Sequence, residues 1–335
     1  MNDSTTRPLR LGTRRSQLAM AQSGQVAEAV RELTGRPVEL VEITTYGDTS
    51  REHLAQIGGT GVFVSALRDA LLAGEIDFAV HSLKDLPTAQ PEALALAAVP
   101  PREDPRDALI ARDGLTFEEL TADPERIARI GTGSPRRMAQ LHAWARSLGR
   151  HIETVPIRGN IDTRIGFVEK GELDAVVLAA AGLTRIGRID EATQALSPDV
   201  VLPAPGQGAL AIECAAANAD LVAALAELDD PGTRAAVTAE RSLLAALEAG
   251  CSAPVGALAD LSPSGGPKAD EQAVTELHLR GVVGTTDGST LVQMSTTGHV
   301  PASLDDESTP LNLGRELAAE MLAKGAAGLM GERAL

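Results

Sequence analysis

The sequence is short of several things, and each shortage removes a class of protein. It holds two cysteines, Cys214 and Cys251, in 335 residues. Two cannot build a disulfide framework and their spacing matches no zinc-ligand pattern, so a reduced, cytoplasmic protein is expected. No stretch approaches the ~18 consecutive apolar residues of a membrane span, and the opening MNDSTTRPLRLG lacks the apolar core of a secretory signal. Positive charge is scarce: 30 Lys+Arg stand against 46 Asp+Glu, a formal net charge of −16. Nucleic acid or an anionic membrane as main partner needs a broadly basic face, so neither is expected. There is no Walker loop, and no G-x-G-x-x-G that follows a strand and opens a helix, which makes nucleotide the weaker choice of ligand. Lysine is rarer still, confined to Lys84, Lys170, Lys268 and Lys324, with arginine used almost everywhere else.

What is present suffices for two or three domains with real cores: 44% hydrophobic and 23% charged residues is ordinary for a globular chain. Strands are expected at Leu9–Thr13, Val38–Thr45, Ile76–Val80, Leu94–Val99, Ala108–Ala111, Ile130–Thr132, His151–Pro156 and Asp174–Ala179. Helices fit at Gln17–Leu33, Val62–Ala73, Pro135–Leu148 and Ile161–Lys170. This alternation implies an α/β fold with mainly parallel sheets. Two Pro-rich stretches, PPREDPRD (Pro100–Asp107) and LPAPGQGAL (Leu202–Leu210), read as hinges, the second running into a strand, ALAIECA. From Pro231 the texture changes to a long helix, Thr233–Ala249, then alternating strands and a helix near Leu313–Lys324, the pattern of a small antiparallel α+β domain.

A faint internal echo points to a ligand. RLGTRRSQLAMAQ (Arg10–Gln22) and RIGTGSPRRMAQL (Arg129–Leu141) share one grammar: a short strand, Gly-Thr, arginines with a serine, then an amphipathic helix. Ser16 and Ser134 are natural N-caps and Pro135 suits a first helical position. A cap alone is simply how helices start. Arginines there are disfavoured by the helix dipole, so something anionic should offset them. Between the hinges, Arg129, Arg136, Arg137, Arg146, Arg150, Arg158, Arg164, Arg185 and Arg188 crowd one segment of an acidic chain. Arg146 and Arg150, near a helix end, read as a solvated face. Arg158, Arg164 and Arg185 sit at strand-to-helix junctions, where open parallel sheets bind ligands. Arginine forks grip carboxylate or phosphate, so the ligand should carry several such groups.

Lys84 and Asp85 follow the strand in IDFAVHSLKDLPT, at the ligand-binding end of a sheet. A surface pair there would be worth only about 0–1 kcal/mol. Cys251, in the Gly-flanked turn LEAGCSAPVG, is a candidate reactive thiol, whereas Cys214 inside an apolar strand reads as a small buried hydrophobe.

Taken in order, GTRRSQLA, IGGTGVFV, DFAVHSLKDLPT, IGTGSPRRMAQL, IRGNIDTR, LAAAGLTRIG, PAPGQGALAIEC and EAGCSAPVGA span about Leu11 to Ala257. Together they closely resemble the porphobilinogen deaminase (hydroxymethylbilane synthase) family of tetrapyrrole biosynthesis. The resemblance implies two lobes like those of type II periplasmic binding proteins around a cleft, plus a C-terminal α+β domain carrying the cofactor cysteine. Lobe 1 would be 1–103 with 204–227, lobe 2 would be 104–203 and the C-terminal domain 228–335.

The implied activity is a transferase that joins four porphobilinogen molecules head to tail, releasing ammonia, into linear hydroxymethylbilane. A dipyrromethane cofactor, held by a thioether to Cys251, would prime it, with Lys84, Asp85, Ser134, Arg136 and Arg137 as further cofactor ligands. Arg14, Ser16, Arg158, Arg164 and Arg185 would bind the substrate's acetates and propionates, and Asp85 would be the catalytic carboxylate beside the pyrrole nitrogen. No large apolar surface signature appears, so a monomer is the default expectation, and no metal is expected. One departure is Thr60 in QIGGTGVF, where many relatives place lysine, so a basic contact of that Gly-rich lid candidate (Gln56–Gly61) is missing. The competing reading, a non-catalytic two-lobe binding protein for a small polyanion, gives no reason for a domain with Cys251. A cysteine hydrolase would need a histidine near Cys251 that no motif supplies.

Overall fold

Each half of the sequence echo closes a strand flanked on both sides by parallel neighbours. The protein is described here from a computed structural model covering residues 7–44, 64–250, 253–263, 274–301 and 307–330. It divides into two compact units, Met1–Glu103 with Ala209–Arg234, and Asp104–Gly208 with Ala235–Leu335.

In the first unit the chain runs β1 (Leu9–Thr13), α1 (Gln17–Thr34), β2 (Val38–Glu42), α2 (Ser65–Leu72), β3 (Phe78–Ser82) and β4 (Leu94–Ala98). In the second it runs β5 (Asp107–Ala111), α3 (Phe117–Leu120), β6 (Ala128–Gly131), α4 (Pro135–Ser147), β7 (Ile152–Val155), α5 (Ile161–Glu169), β8 (Ala175–Ala179), α6 (Ala180–Arg185) and β9 (Gln194–Ala195). It then returns to the first unit with β10 (Leu210–Ala215) and α7 (Ala219–Ala226).

Among the described residues the first sheet has the order β2-β1-β3-β10-β4 and the second β7-β6-β8-β5-β9. Within each, four strands share one direction and the fourth position is antiparallel: β10 against β3 and β4, β5 against β8 and β9. The expected mainly parallel sheets are therefore mixed. In both cases the reversed strand is the one the chain makes on crossing from the other unit. The result is an α/β protein with one five-stranded mixed sheet in each unit.

The two sheets are built by the same local chemistry. After α2, GEIDFAV begins with Gly74 at φ +69, and after α5, GELDAVV begins with Gly171 at φ +70, a conformation glycine adopts without penalty. Glu75 N–H donates to Ala70 O and Glu172 N–H to Phe167 O, each at 2.9 Å. Asp77 then exchanges backbone and carboxylate bonds with Arg10, as Asp174 does with Arg129. Because the Glu75 and Ile76 N–H groups are spent on the end of α2, β3 starts at Phe78 rather than Ile76. Gly12 and Gly131 are also equivalent. A Cβ at Gly12 would lie 2.3 Å from Ile76 Cδ1, and one at Gly131 2.6 Å from Leu173 Cδ1.

Leu11, Phe78 and Ile212 centre the core of the first sheet; Leu109, Phe117, Ile130 and Leu141 pack together in the second unit. The second unit also holds a three-stranded antiparallel sheet, β11 (Val255–Pro263), β12 (Val274–Gly284) and β13 (Leu291–Pro301), with α9 (Ser308–Ala323). Helix α8 (Pro231–Ala246) packs Leu243 into the same core as Leu279 and Leu317. No described helix is long and apolar enough to cross a membrane.

Candidate active site

In the first unit, β1 and β3 are parallel neighbours, pairing Leu11 with Phe78 and Gly12 with Ala79. Their carboxyl ends therefore deliver Arg14 and Ser16, on one side, and Lys84 and Asp85, on the other, to the same end of the sheet. Ser16 caps α1 by accepting the Ala19 N–H, with no acidic residue in the first turn. The positive helix end thus lacks an acidic residue of its own there. Gln22 of α1 donates to Ser82 Oγ at 3.0 Å, tying that helix to the end of β3.

Lys84 and Asp85 occupy a single 3-10 turn, Leu83–Asp85. It is pegged by Leu83 and Leu86, both fully buried, and by the Leu83 N–H donating to Ala209 O at 3.0 Å. Between these pegs Lys84 is half-buried and Asp85 exposed.

Beneath this turn lies a cluster that sequence reasoning missed. Glu213 of β10 is fully buried, and its carboxylate accepts from Arg68 Nε (3.1 Å), Arg68 Nη2 (2.8 Å) and Gln90 Nε2 (3.0 Å). His81 Nε2 stands 3.1 Å from Glu213 Oε2, an ion-pair distance without the alignment of a hydrogen bond. Burial alone would raise the Glu213 carboxyl, but His81 and Arg68 outweigh it and bring it down to about 2. Arg68 lies 145 residues from Glu213, so no local pattern could announce the pair.

In the second unit, β6 has β7 and β8 as parallel neighbours, and the segments after all three carry the proposed ligands. After β6, Ser134 caps α4 by accepting the Arg137 N–H, with Pro135 at the helix start. Arg136 and Arg137 are buried and turned onto Asp107, itself fully buried. Arg136 Nη1 donates to Asp107 Oδ2 at 2.8 Å, and Arg137 donates through Nε (3.1 Å) and Nη2 (2.7 Å) to Oδ1. Gln207 Nε2 adds a bond at 2.9 Å. Burial would raise the Asp107 carboxyl; the charges of Arg136 and Arg137 overcome this and hold it well below the usual range. Two guanidiniums on one carboxylate leave one positive charge over, and Arg136 Nε is buried with no acceptor.

After β7, Arg158 is half-buried, and Arg164 in the first turn of α5 donates from Nε to Gly159 O at 2.9 Å. Arg185 ends α6 after β8 and donates to Gly208 O at 2.6 Å. Each unit so gathers its own set of proposed ligands at one end of its sheet: Arg14, Ser16, Lys84 and Asp85 in the first, Ser134, Arg136, Arg137, Arg158, Arg164 and Arg185 in the second. The remaining arginines of the crowd make structural contacts. Arg129 reaches Glu172 O, Arg146 reaches Asp287 O, Arg150 reaches Glu118 O and Thr121, and Arg188 pairs with Asp162 and Glu191. Cys251 and the Gln56–Gly61 loop with Thr60 lie outside the described residues. Cys214 is buried in β10, where burial first and the Glu213 charge second push its thiol up to about 11.

Residues 9–223 match the porphobilinogen deaminase dipyrromethane cofactor binding domain, and residues 234–323 match the C-terminal domain of the same family. The chain belongs to the porphobilinogen deaminase family. It is 80% identical to porphobilinogen deaminase 1 of Streptomyces avermitilis over 97% of this chain and 98% of that protein. Identity to porphobilinogen deaminase 1 of Streptomyces coelicolor is 75%, covering 98% of this chain and 99% of that one. The porphobilinogen deaminase of Mycobacterium tuberculosis is 51% identical over 96% and 98%. Among solved structures, the periplasmic VFT2 domain of Bordetella pertussis BvgS is similar at 14% identity and a TM-score of 0.38, over 68% of this chain and 87% of that one. The donors described here suit the porphobilinogen deaminase cofactor: arginines, a lysine and capping serines are what a ligand bearing several carboxylates requires, and Arg136 Nε is a buried donor short of one acceptor.

Proposed function

We propose that this chain joins porphobilinogen units head to tail into hydroxymethylbilane, releasing ammonia, with Asp85 as the catalytic carboxylate. The observation that carries the reading is the pegged turn. Leu83 and Leu86 are buried, so the intervening side chains are held at the carboxyl end of β3, the end of the sheet from which Arg14 and the α1 N-terminus also leave. Lys84, Asp85, Ser134, Arg136 and Arg137 would hold the dipyrromethane, with Cys251 as its covalent anchor; the cofactor supplies the primer to which pyrroles add. Arg14, Ser16, Arg158, Arg164 and Arg185 bind the substrate's acetate and propionate groups, each charged hydrogen bond contributing about 1.5–3 kcal/mol. For Arg136 and Arg137 that contact draws on the charge left over from Asp107.

Loss of ammonia from porphobilinogen puts positive charge on the pyrrole nitrogen. A fixed carboxylate at that nitrogen stabilises the charge as it develops, accepts the N–H bond and takes part in proton transfer. Lys84 answers the ring's substituents while Asp85 answers the ring. The thioether linkage, the monomeric state and the cytoplasmic location belong to this reading.

The test is intact mass with activity. Purified protein should exceed its sequence mass by two pyrrole units and give a pink Ehrlich reaction, and Cys251→Ser should lose both together with turnover. A serine hydroxyl without a paired base is a far weaker nucleophile than a thiolate. Retained modification in Cys251→Ser, or active protein of unmodified mass, refutes the reading; the latter would favour a non-covalent binding protein.

A further inference from the structure

The geometry points to Glu213 as a positioning residue that holds Asp85 in register through both flanks of its turn. This inference rests on the reading of Asp85 proposed above. His81 stands three residues before Lys84 and Gln90 five after Asp85, and both meet the same buried carboxylate. Arg68 adds helix α2 through a two-pronged contact, its Nε and Nη2 each on a different oxygen of Glu213. The strand that carries Glu213 also supplies the neighbour of the turn's other backbone tie, since Ala209 O accepts the Leu83 N–H just before β10 begins.

One carboxylate thus fastens the segment entering the turn, the segment leaving it and the helix behind it. None of these groups reaches Asp85 itself. Their effect is on place: a carboxylate that stabilises charge on a ring nitrogen must lie within hydrogen-bond reach of it, and about 1 Å of misplacement costs on the order of a hundredfold in rate. Gln90 is exposed and bridges Glu213 to Leu94 O, so it can be removed without opening the core.

The experiment compares Glu213→Gln, Gln90→Ala and Asp85→Glu with the two double variants that combine Asp85→Glu with each of the others. Steady-state rates and intact masses are measured on the cofactor-loaded protein. Glu213→Gln should keep the two-pyrrole mass addition yet lose about tenfold or more in kcat, with KM little changed. Gln90→Ala should fall in the same direction by a smaller factor at unchanged Tm. In the Asp85→Glu background both changes should cost little more, because the carboxylate is already displaced. The double variants should therefore retain more activity than the product of the single losses allows, by more than about twofold. Products that match the single losses, or wild-type kcat per folded molecule in Glu213→Gln, overturn the inference. Should Glu213→Gln not fold, the Gln90→Ala pair with Asp85→Glu decides on the same criterion. Wild-type turnover in Asp85→Asn would instead strike down the reading of Asp85, which additive losses alone would leave standing.

Discussion

Asp107→Asn tests whether the second unit's arginines are held by a single buried charge. The variant keeps the side-chain shape but removes the negative charge that Arg136 and Arg137 share, leaving two guanidiniums with one amide oxygen between them. Removing one partner of a buried ion pair costs about 3–5 kcal/mol, and Asp107 is fully buried, so solvent screening gives little relief. The unit comprises 105 residues (Asp104–Gly208) plus 101 (Ala235–Leu335), or 206. For that size 1 kcal/mol moves Tm by about 2–4 °C, which puts the expected drop at about 6–20 °C. Leu202 O and Val177 O still accept from the two arginines, so the unit should fold.

The chain's single tryptophan is a convenient reporter: Trp144 lies on the same helix α4, stacked on Phe117 with centroids 3.9 Å apart. The pH dependence has a definite sign. A carboxyl lowered on folding contributes stability in full above its unfolded value of about 3.9, and that contribution fades as pH falls toward the folded value. The Tm gap between wild type and Asp107→Asn should therefore stay constant from pH 8 to about 5 and narrow only below about 4. A drop under 2 °C, or a gap that closes between pH 8 and 6, refutes the argument.

Asp85→Asn should abolish turnover by about a hundred- to thousandfold while leaving Tm near wild type, since Asp85 is exposed. Asp85→Glu should keep residual activity and accumulate a ladder of partly elongated enzyme–pyrrole masses; equal rates in the two variants would make Asp85 a bystander. Cys214→Ser should keep the cofactor mass yet lose about 1–3 kcal/mol by placing a hydroxyl in an apolar core, and in native wild type Cys214 should resist alkylation at pH 8, its thiol lying at about 11. Gly131→Ala should cost about 1–3 kcal/mol in chemical denaturation, because its Cβ meets Leu173, Ile157 and Val176.

Local chemistry was legible in the sequence. β1 matches the expected Leu9–Thr13, and α1 and α4 start at the anticipated residues because Ser16 and Ser134 supply side-chain caps next to helix-forming runs. Direction within the sheets was not legible: β5 and β10 are short apolar runs like their neighbours, and only the path of the chain makes them antiparallel. The arginine crowd was visible, and Arg146 and Arg150 could be set apart as a solvated face, but the partners of the others could not be read. Arg188 meets Asp162 and Arg129 meets the Glu172 carbonyl, partners 26 and 43 residues away that no local pattern announces. The same limit hid Asp107, which reads as the end of a polar hinge and proves to be the first residue of β5 with two guanidiniums on it.

The inserted strand β10 also imposes an order on how the protein is made. β3 and β4 leave the ribosome early, yet in the finished sheet they never touch, because β10 lies between them. Some 112 positions separate Ala98 from Leu210, and at about 5–20 residues per second the gap lasts roughly ten seconds. Throughout that interval two strand edges face an empty slot, the kind of edge that invites pairing with another chain. A chain stopped after Glu103 would possess Lys84 and Asp85 but lack Ala209, Glu213 and the strand that hold their turn in place.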